Sequence, residues 1–199
     1  MEDFPHSLCA TWHLPIAQNL HEIKFVHLVG VGATVIHVDG KVVLHRSSYS
    51  GKSGKDHFQI KSADCLITVI STATIHECIL YVNGKRFSEY AKWYSNHFAT
   101  WKPKIVGVDI RVVLENLTLE IFFSYKSTME LWANGRVVEC TTNFTESGTI
   151  RNFELDPNMK IPSAIVTSDK EYSNHTLMVD GEMVPLFEEI DEKEHKLEF

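Results

Sequence analysis

The chain has 199 residues, 44% hydrophobic and 23% charged. That composition suits one large or two small globular domains and is too apolar for a disordered chain. No run approaches the ~18 apolar residues of a membrane-spanning helix. The net charge of −7 divides into +1 over residues 1–92, −4 over 93–187 and −4 over 188–199. There is no basic stripe, so nucleic acid is not an expected partner.

Residues 1–20 are broken by Pro5 and Pro15 and carry Glu2 and Asp3. They lack the basic start and apolar middle of a signal peptide, so a cytoplasmic protein is the expectation. Cys9, Cys65, Cys78 and Cys140 stand apart, without the two-residue spacing of a zinc ribbon or redox pair. They read as small buried hydrophobes. The glycosylation triplets at Asn116, Asn143 and Asn174 read as chance in such a protein.

Asp-Gly or Asn-Gly occurs between apolar runs at Asp39-Gly40, Asn83-Gly84, Asn134-Gly135 and Asp180-Gly181. A type I′ turn requires positive φ at both central positions, which these residues tolerate, so each dipeptide predicts a hairpin. The first turn would pair Val38 with Lys41, Ile36 with Val43 and Val35 with Leu44. The second would pair Val82 with Lys85 and Leu80 with Phe87. The third would pair Ala133 with Arg136 and Leu131 with Val138. The fourth would pair Val179 with Glu182 and Leu177 with Val184. Apolar cross-strand pairs of this kind stabilise a sheet.

Gly40 and Gly135 lie 95 residues apart, Gly84 and Gly181 97 apart. The offset of 95 carries Ile36 onto Leu131, Val43 onto Val138, Tyr49 onto Phe144, and Phe58 and Ile60 onto Phe153 and Leu155. Each unit begins near a tryptophan, Trp12 or Trp101. The reading is an all-β chain of two homologous antiparallel β-sandwich domains in tandem, 1–92 and 93–187, followed by an acidic tail, 188–199. The linker falls near Ser88–Pro103, with a helical turn around Glu89–Ser95.

Candidate chemistry is thin. His21 and His27 would share one face of a strand. His37 and His45 would lie on opposite faces of the first hairpin, so neither pair chelates, and no metal site is expected. Cys65, with His76 or Cys78 nearby, is the natural nucleophile, but it opens the apolar run Leu66–Ile70 and reads as an inert core thiol. Ser50-Gly51-Lys52-Ser53-Gly54-Lys55 fails the P-loop pattern because Arg46 stands where the first glycine belongs and no helix follows. Trp12, Trp101 and Trp132 read as packing residues, and Trp93 as a linker contact for either domain. No catalytic, cofactor-binding or metal residue is expected, and partner-binding residues are not identifiable.

His21-Glu22-Ile23-Lys24-Phe25-Val26-His27, Val38-Asp39-Gly40-Lys41, Leu80-Tyr81-Val82-Asn83-Gly84-Lys85 with Tyr90, Arg111–Glu115, Met129–Arg136, Phe144–Leu155 and His175–Asp180 together resemble the Fas apoptotic inhibitory molecule family over residues 8–187. The resemblance implies a non-enzymatic cytosolic protein of two β-sandwiches that restrains death-receptor apoptosis, modulates survival signalling or limits protein aggregation. It implies protein partners: death-receptor or growth-factor signalling components, or misfolded clients. A small-molecule or carbohydrate-binding sandwich is the alternative. Residues 116–125 depart from the family pattern and alternate as a strand. Three explanations stand side by side: an edge extension, an extra hairpin, or a misassigned exon boundary.

Overall fold

The computed structural model describes residues 7–16, 18–28, 32–47, 54–71, 76–121, 124–155, 163–171 and 173–187, of which 71, 76, 116–121, 124–128 and 163 by backbone only. The acidic tail and the 48–53 loop lie outside the described residues. The fold is all-β: nineteen strands and one helix among the described residues, divided into two compact units whose boundary falls between Trp93 and Tyr94.

The first unit holds two antiparallel four-stranded meanders. Strands β1 (Ser7–Ile16), β2 (Asn19–Leu28), β3 (Ala33–Val38) and β4 (Lys41–Arg46) pair in sequence order, as do β5 (Gly54–Ile60), β6 (Ala63–Ser71), β7 (His76–Val82) and β8 (Lys85–Arg86). Strict alternation buries Leu8, Ala10, Trp12 and Leu14 of β1 with Ile23, Phe25, Ile36 and Val38 of the neighbouring strands. The second sheet buries Phe58, Ile60, Cys65, Ile67, Leu80 and Val82 in the same manner. Burying one such aliphatic side chain stabilises the fold by ~1.5–3 kcal/mol.

Helix α1 (Phe87–His97) follows β8 directly. Glu89 reaches back to accept from the Arg86 backbone N–H at 3.2 Å, half of a capping box. Tyr90, Ala91 and Tyr94 form its buried stripe, and the Tyr90 hydroxyl donates to the Pro15 carbonyl at 2.7 Å. The helix therefore runs several residues longer than the turn expected from sequence. It also replaces the expected Leu80–Phe87 pair, because β8 ends at Arg86 and Phe87 is helical.

The second unit repeats the plan with changes. Its strands are β9 (Phe98–Trp101), β10 (Lys104–Ile105), β11 (Val108–Asp109), β12 (Val112–Ile121), β13 (Ser124–Ala133), β14 (Arg136–Val137), β15 (Cys140–Thr145), β16 (Gly148–Glu154), β17 (Ser163–Asp169), β18 (His175–Val179) and β19 (Glu182–Val184). One four-stranded sheet has the order β14-β13-β12-β9, a second runs β15-β16-β17-β18-β19, and β10 pairs with β11 as a separate two-stranded ribbon. Trp101, Val112, Leu114, Leu131 and Ala133 of the first meet Phe153, Leu155, Ala164, Val166 and Leu177 of the second in one core. This is a sandwich, with inward residues alternating along both sheets. Gly148 is fixed by space: a Cβ there would lie 1.9 Å from the Ser168 carbonyl oxygen.

The duplication is visible as matching rungs. Trp12 pairs with Ile23, which pairs with Val38; Trp101 pairs with Val112, which pairs with Ala133. Residues 116–121 pair rung by rung with 124–129, so the extra segment lengthens the hairpin of two neighbouring strands. Its side chains lie outside the described residues.

Candidate functional site

All four Asx-Gly turns have the expected geometry, with φ of 47–52° at the Asx residue and 76–79° at glycine. Three of them do more than turn the chain. The Asp39 N–H donates to the Glu22 carbonyl at 2.9 Å while Asp39 Oδ1 accepts from the Glu22 N–H at 3.0 Å. Asn83 makes the same pair with Asp64 at 2.7 and 2.9 Å, and Asn134 with Arg111 at 2.8 and 2.9 Å. Each side chain thus ties a hairpin tip to a third strand. Glycine would satisfy φ at these positions but could not make the bond, which explains the choice of Asx.

A fifth turn of this shape, Val106-Gly107 between β10 and β11, went unpredicted. Val106 has φ of 48° and is 95% exposed. A β-branched residue is a poor occupant of left-handed φ, so no sequence signal marked the turn.

The first hairpin also corrects a register. Ile36 pairs with Leu44, Val35 with His45 and His37 with Val42, with an irregularity between Ile36 and His37. One extra residue in β4 slips the pairing, so the expected Ile36–Val43 and Val35–Leu44 pairs do not form. It also places His45 opposite Val35, on the face that His37 occupies, rather than on the opposite one. Other expected pairs form: Val38 with Lys41, Val82 with Lys85, Ala133 with Arg136, Val179 with Glu182 and Leu177 with Val184. The Val138 N–H donates to the Leu131 carbonyl at 2.9 Å, just beyond the end of β14.

The histidines serve locally. His21 Nδ1 lies 2.7 Å from Asp39 Oδ2, and His27 Nδ1 lies 3.0 Å from Thr34 Oγ1. Partial desolvation pushes the Asp39 carboxyl up, but the His21 and Glu22 hydrogen bonds together hold it below its ordinary value. Among the described residues no three His, Cys, Asp or Glu side chains cluster as metal ligands do. Cys65 and Cys78 are buried, and burial pushes both thiols up to about 12, with Asp64 adding to Cys65 and Cys9 and Glu77 to Cys78. Such thiols are poor nucleophiles at neutral pH. The His76 side chain lies outside the described residues. Cys9 and Cys140 are exposed rather than buried.

Trp12 and Trp101 are core residues. Trp132 is half-buried, on the opposite face of β13 from Leu131 and Ala133. Trp93 stacks obliquely on Tyr90, with centroids 5.5 Å apart, beneath the Lys85 ammonium at 5.8 Å.

Two buried charges occupy matching positions. Asp56 of β5 is 2% exposed and forms an ion pair with Arg46 of β4, joining the two sheets of the first unit. Burial raises its carboxyl above the ordinary value even though Arg46 and His27 pull it down. Ninety-five residues on stands Arg151 of β16, 7% exposed. Its guanidinium donates to Thr149 Oγ1 at 3.0 Å and to Met129 Sδ at 3.1 Å. The sequence held a signal for both. The alternation that carries Phe58 and Ile60 onto Phe153 and Leu155 places Asp56 and Arg151 on the same inward face, one step earlier.

Strand β15 is the last feature. It forms one edge of its sheet and pairs only with β16 among the described residues. Cys-Thr-Thr-Asn-Phe-Thr carries no charge, no proline and no glycine, and Phe144 is 80% exposed. Glu139 and Glu146 flank it. Such an edge has the composition that invites another strand.

Against known proteins, the sequence model of the Fas apoptotic inhibitory molecule family matches residues 8–187. Fas apoptotic inhibitory molecule 1 of Mus musculus is 30% identical over 182 residues, 89% of this chain and 96% of that protein. The Homo sapiens protein of that name is 29% identical over the same shares, and the Bos taurus protein 29% identical, covering 86% of its length. The match spans both units, and the chain belongs to the Fas apoptotic inhibitory molecule family.

Proposed function

We propose that this chain is a non-enzymatic cytoplasmic interaction protein that restrains apoptosis, as the name of its relatives describes, by presenting a sheet edge to protein partners. The observation that carries the reading is β15: six uncharged residues, three threonines and a phenylalanine of β-favouring type among them, exposed or half-exposed, on an outer strand. An extended partner segment would add a strand there through backbone hydrogen bonds, while Phe144 supplies an apolar contact. Death-receptor or growth-factor signalling components, or misfolded clients with open edges, are the partner classes this chemistry accommodates.

The test is proline at Thr141 or Thr142, compared with wild type in co-purification from lysate before and after heat stress. Backbone N–H groups alternate in direction along a strand, so one of the two substitutions faces outward and spares the β16 pairing. That variant is expected to fold and to lose its partners. Retention of every partner by both folded variants would exclude the edge. A short list that ignores stress would indicate dedicated signalling; a list that grows with stress would indicate client binding.

A second reading rests on a cavity of about 290 Å³ lined by Thr145, Ser147, Ile150, Thr167, Asp169 and Asn174, among others. It suits a small polar ligand such as a sugar, and a ligand-specific thermal shift would favour it.

A further inference from the structure

We propose that Arg151 is the centre of an oxyanion-binding site at one end of the second sandwich, taking a phosphate or a carboxylate. A buried ion costs several kcal/mol of solvation unless an opposite charge and hydrogen bonds offset it. The first unit meets this requirement internally, because Asp56 has Arg46. Arg151 has no carboxylate partner among the described residues; its contacts are one hydroxyl and one thioether. Sulfur is a weak acceptor, and the planar guanidinium fork is shaped for two oxygens of one anion.

The surroundings complete the site. Thr149 is 2% exposed and sits opposite Ser168 on the paired strand, itself buried. His175 Nδ1 lies 2.9 Å from Ser168 Oγ. The cluster therefore offers a cation and two inward hydroxyls where a sandwich core normally holds aliphatic side chains. Thr149 and Ser168 also border the cavity described above; Arg151 is not part of its lining, so an anion would reach the guanidinium past these two hydroxyls. Asp169 is the one carboxylate in that lining. Its oxygens are occupied by the Ser173 and Asn174 amides, the Ser173 hydroxyl and the Asn174 side-chain amide at 2.7–3.2 Å, so its charge is held at the β17–β18 turn. Among the described residues Arg46 is paired with Asp56 and His21 with Asp39.

The experiment measures thermal unfolding and isothermal titration of the full chain with inorganic phosphate, acetate and chloride at matched ionic strength. Wild type is compared with Arg151→Met, Arg151→Lys and Thr149→Val. Phosphate and other excluded salts stabilise proteins generally, so the readout is the increment that depends on Arg151. Wild type is expected to gain several degrees more in phosphate or acetate than in chloride. Arg151→Met is expected to lose at least ~tenfold in affinity for that anion, with Arg151→Lys intermediate because it keeps charge but not the fork. Thr149→Val keeps the guanidinium and is expected to weaken binding less, so it reports on the site should Arg151→Met not fold. A larger response to phosphate than to acetate assigns a phosphate ligand; the reverse assigns a carboxylate. Equal increments in wild type and Arg151→Met, or equal increments in wild type and Thr149→Val if only that variant folds, overturn the proposal.

Discussion

After Asp39-Gly40 the chain stays beside β3 for six residues and ends the first sheet as β4. After Asn134-Gly135 it stays beside β13 for two residues, leaves at Val137 and enters the opposite sheet at Cys140 as β15. The turns are alike in φ and in their bond to the third strand. What differs is the sequence downstream. β4 reads Lys-Val-Val-Leu-His-Arg, carries charge at both ends and contains a register slip; each is a device that discourages edge pairing. β15 has none of these between its flanking glutamates. One copy of the duplication has kept its edge guarded, and the other has left an edge open.

The same contrast holds inside. The first unit buries an ion pair, the second a guanidinium alone among the described residues. The largest expected effect tests that difference. Arg46→Met strands the Asp56 carboxylate and is expected to destabilise the first unit by ~3–5 kcal/mol in urea unfolding, whereas Arg151→Met is expected to be neutral or stabilising without added anion. Comparable losses at both sites would erase the distinction between the halves.

The turn clamps come next. Asn134→Gly and Asn83→Gly keep the required φ and lose the bond to the third strand, so each is expected to cost ~1 kcal/mol or somewhat more. Asp39→Gly, which also removes the His21 contact, is expected to cost at least as much. No loss in any of the three would mean that φ alone matters at these turns. In the opposite direction, Val106→Asn relieves a β-branched residue at left-handed φ and is expected to stabilise the second unit by ~1 kcal/mol, read as a raised urea midpoint.

The smallest effects are in pH. Burial of His27, outweighing the attraction of Asp56, lowers its pKa from 6.5. Its folded state favours the neutral ring, so stability is lost as pH falls below 6.5 through the folded value. Asp56 acts in the opposite sense: its raised folded pKa gains relative stability as pH falls toward 3.8. In the second unit the Asn174 side-chain bond leads the contacts that hold Asp169 down at about 2 against slight desolvation, so its contribution is present above 3.8 and fades as pH falls through about 2. Denaturation midpoints followed from pH 8 to 2 are expected to show the upper step vanish in His27→Gln and the lower one in Asp169→Ala.

Much of this architecture was legible in the residues. Four Asx-Gly dipeptides located four hairpins because positive φ restricts which residues can stand there. The spacing of Phe58, Ile60, Phe153 and Leu155 exposed the duplication because inward residues must repeat every second position. Val106 was invisible for the converse reason: its residue type opposes the conformation it adopts. The slip in β4 left no mark because Val42, Val43 and Leu44 are interchangeable to any apolar pattern. The switch of sheets after Val137 carries β15 into the sheet that β16 builds with β17 and β18, and which sheet receives a strand is set by that assembly rather than by the residues at the crossing. At the candidate site the inward charges could be read from alternation, but the Arg46 partner of Asp56 stands on the other sheet of its unit, and that juxtaposition follows from how the sheets pack rather than from any spacing.

The clamped turns bear on chemical ageing. Asn-Gly is the dipeptide most prone to lose its side-chain amide through a cyclic imide, leaving aspartate or isoaspartate. Asp39 already makes with a carboxylate the bond that Asn83 and Asn134 make with an amide oxygen, so conversion to aspartate leaves the turn's hydrogen bonding intact. Isoaspartate inserts an additional backbone carbon and moves the tip away from its third strand. Each clamp therefore tolerates one product of the same decay reaction and registers the other as damage.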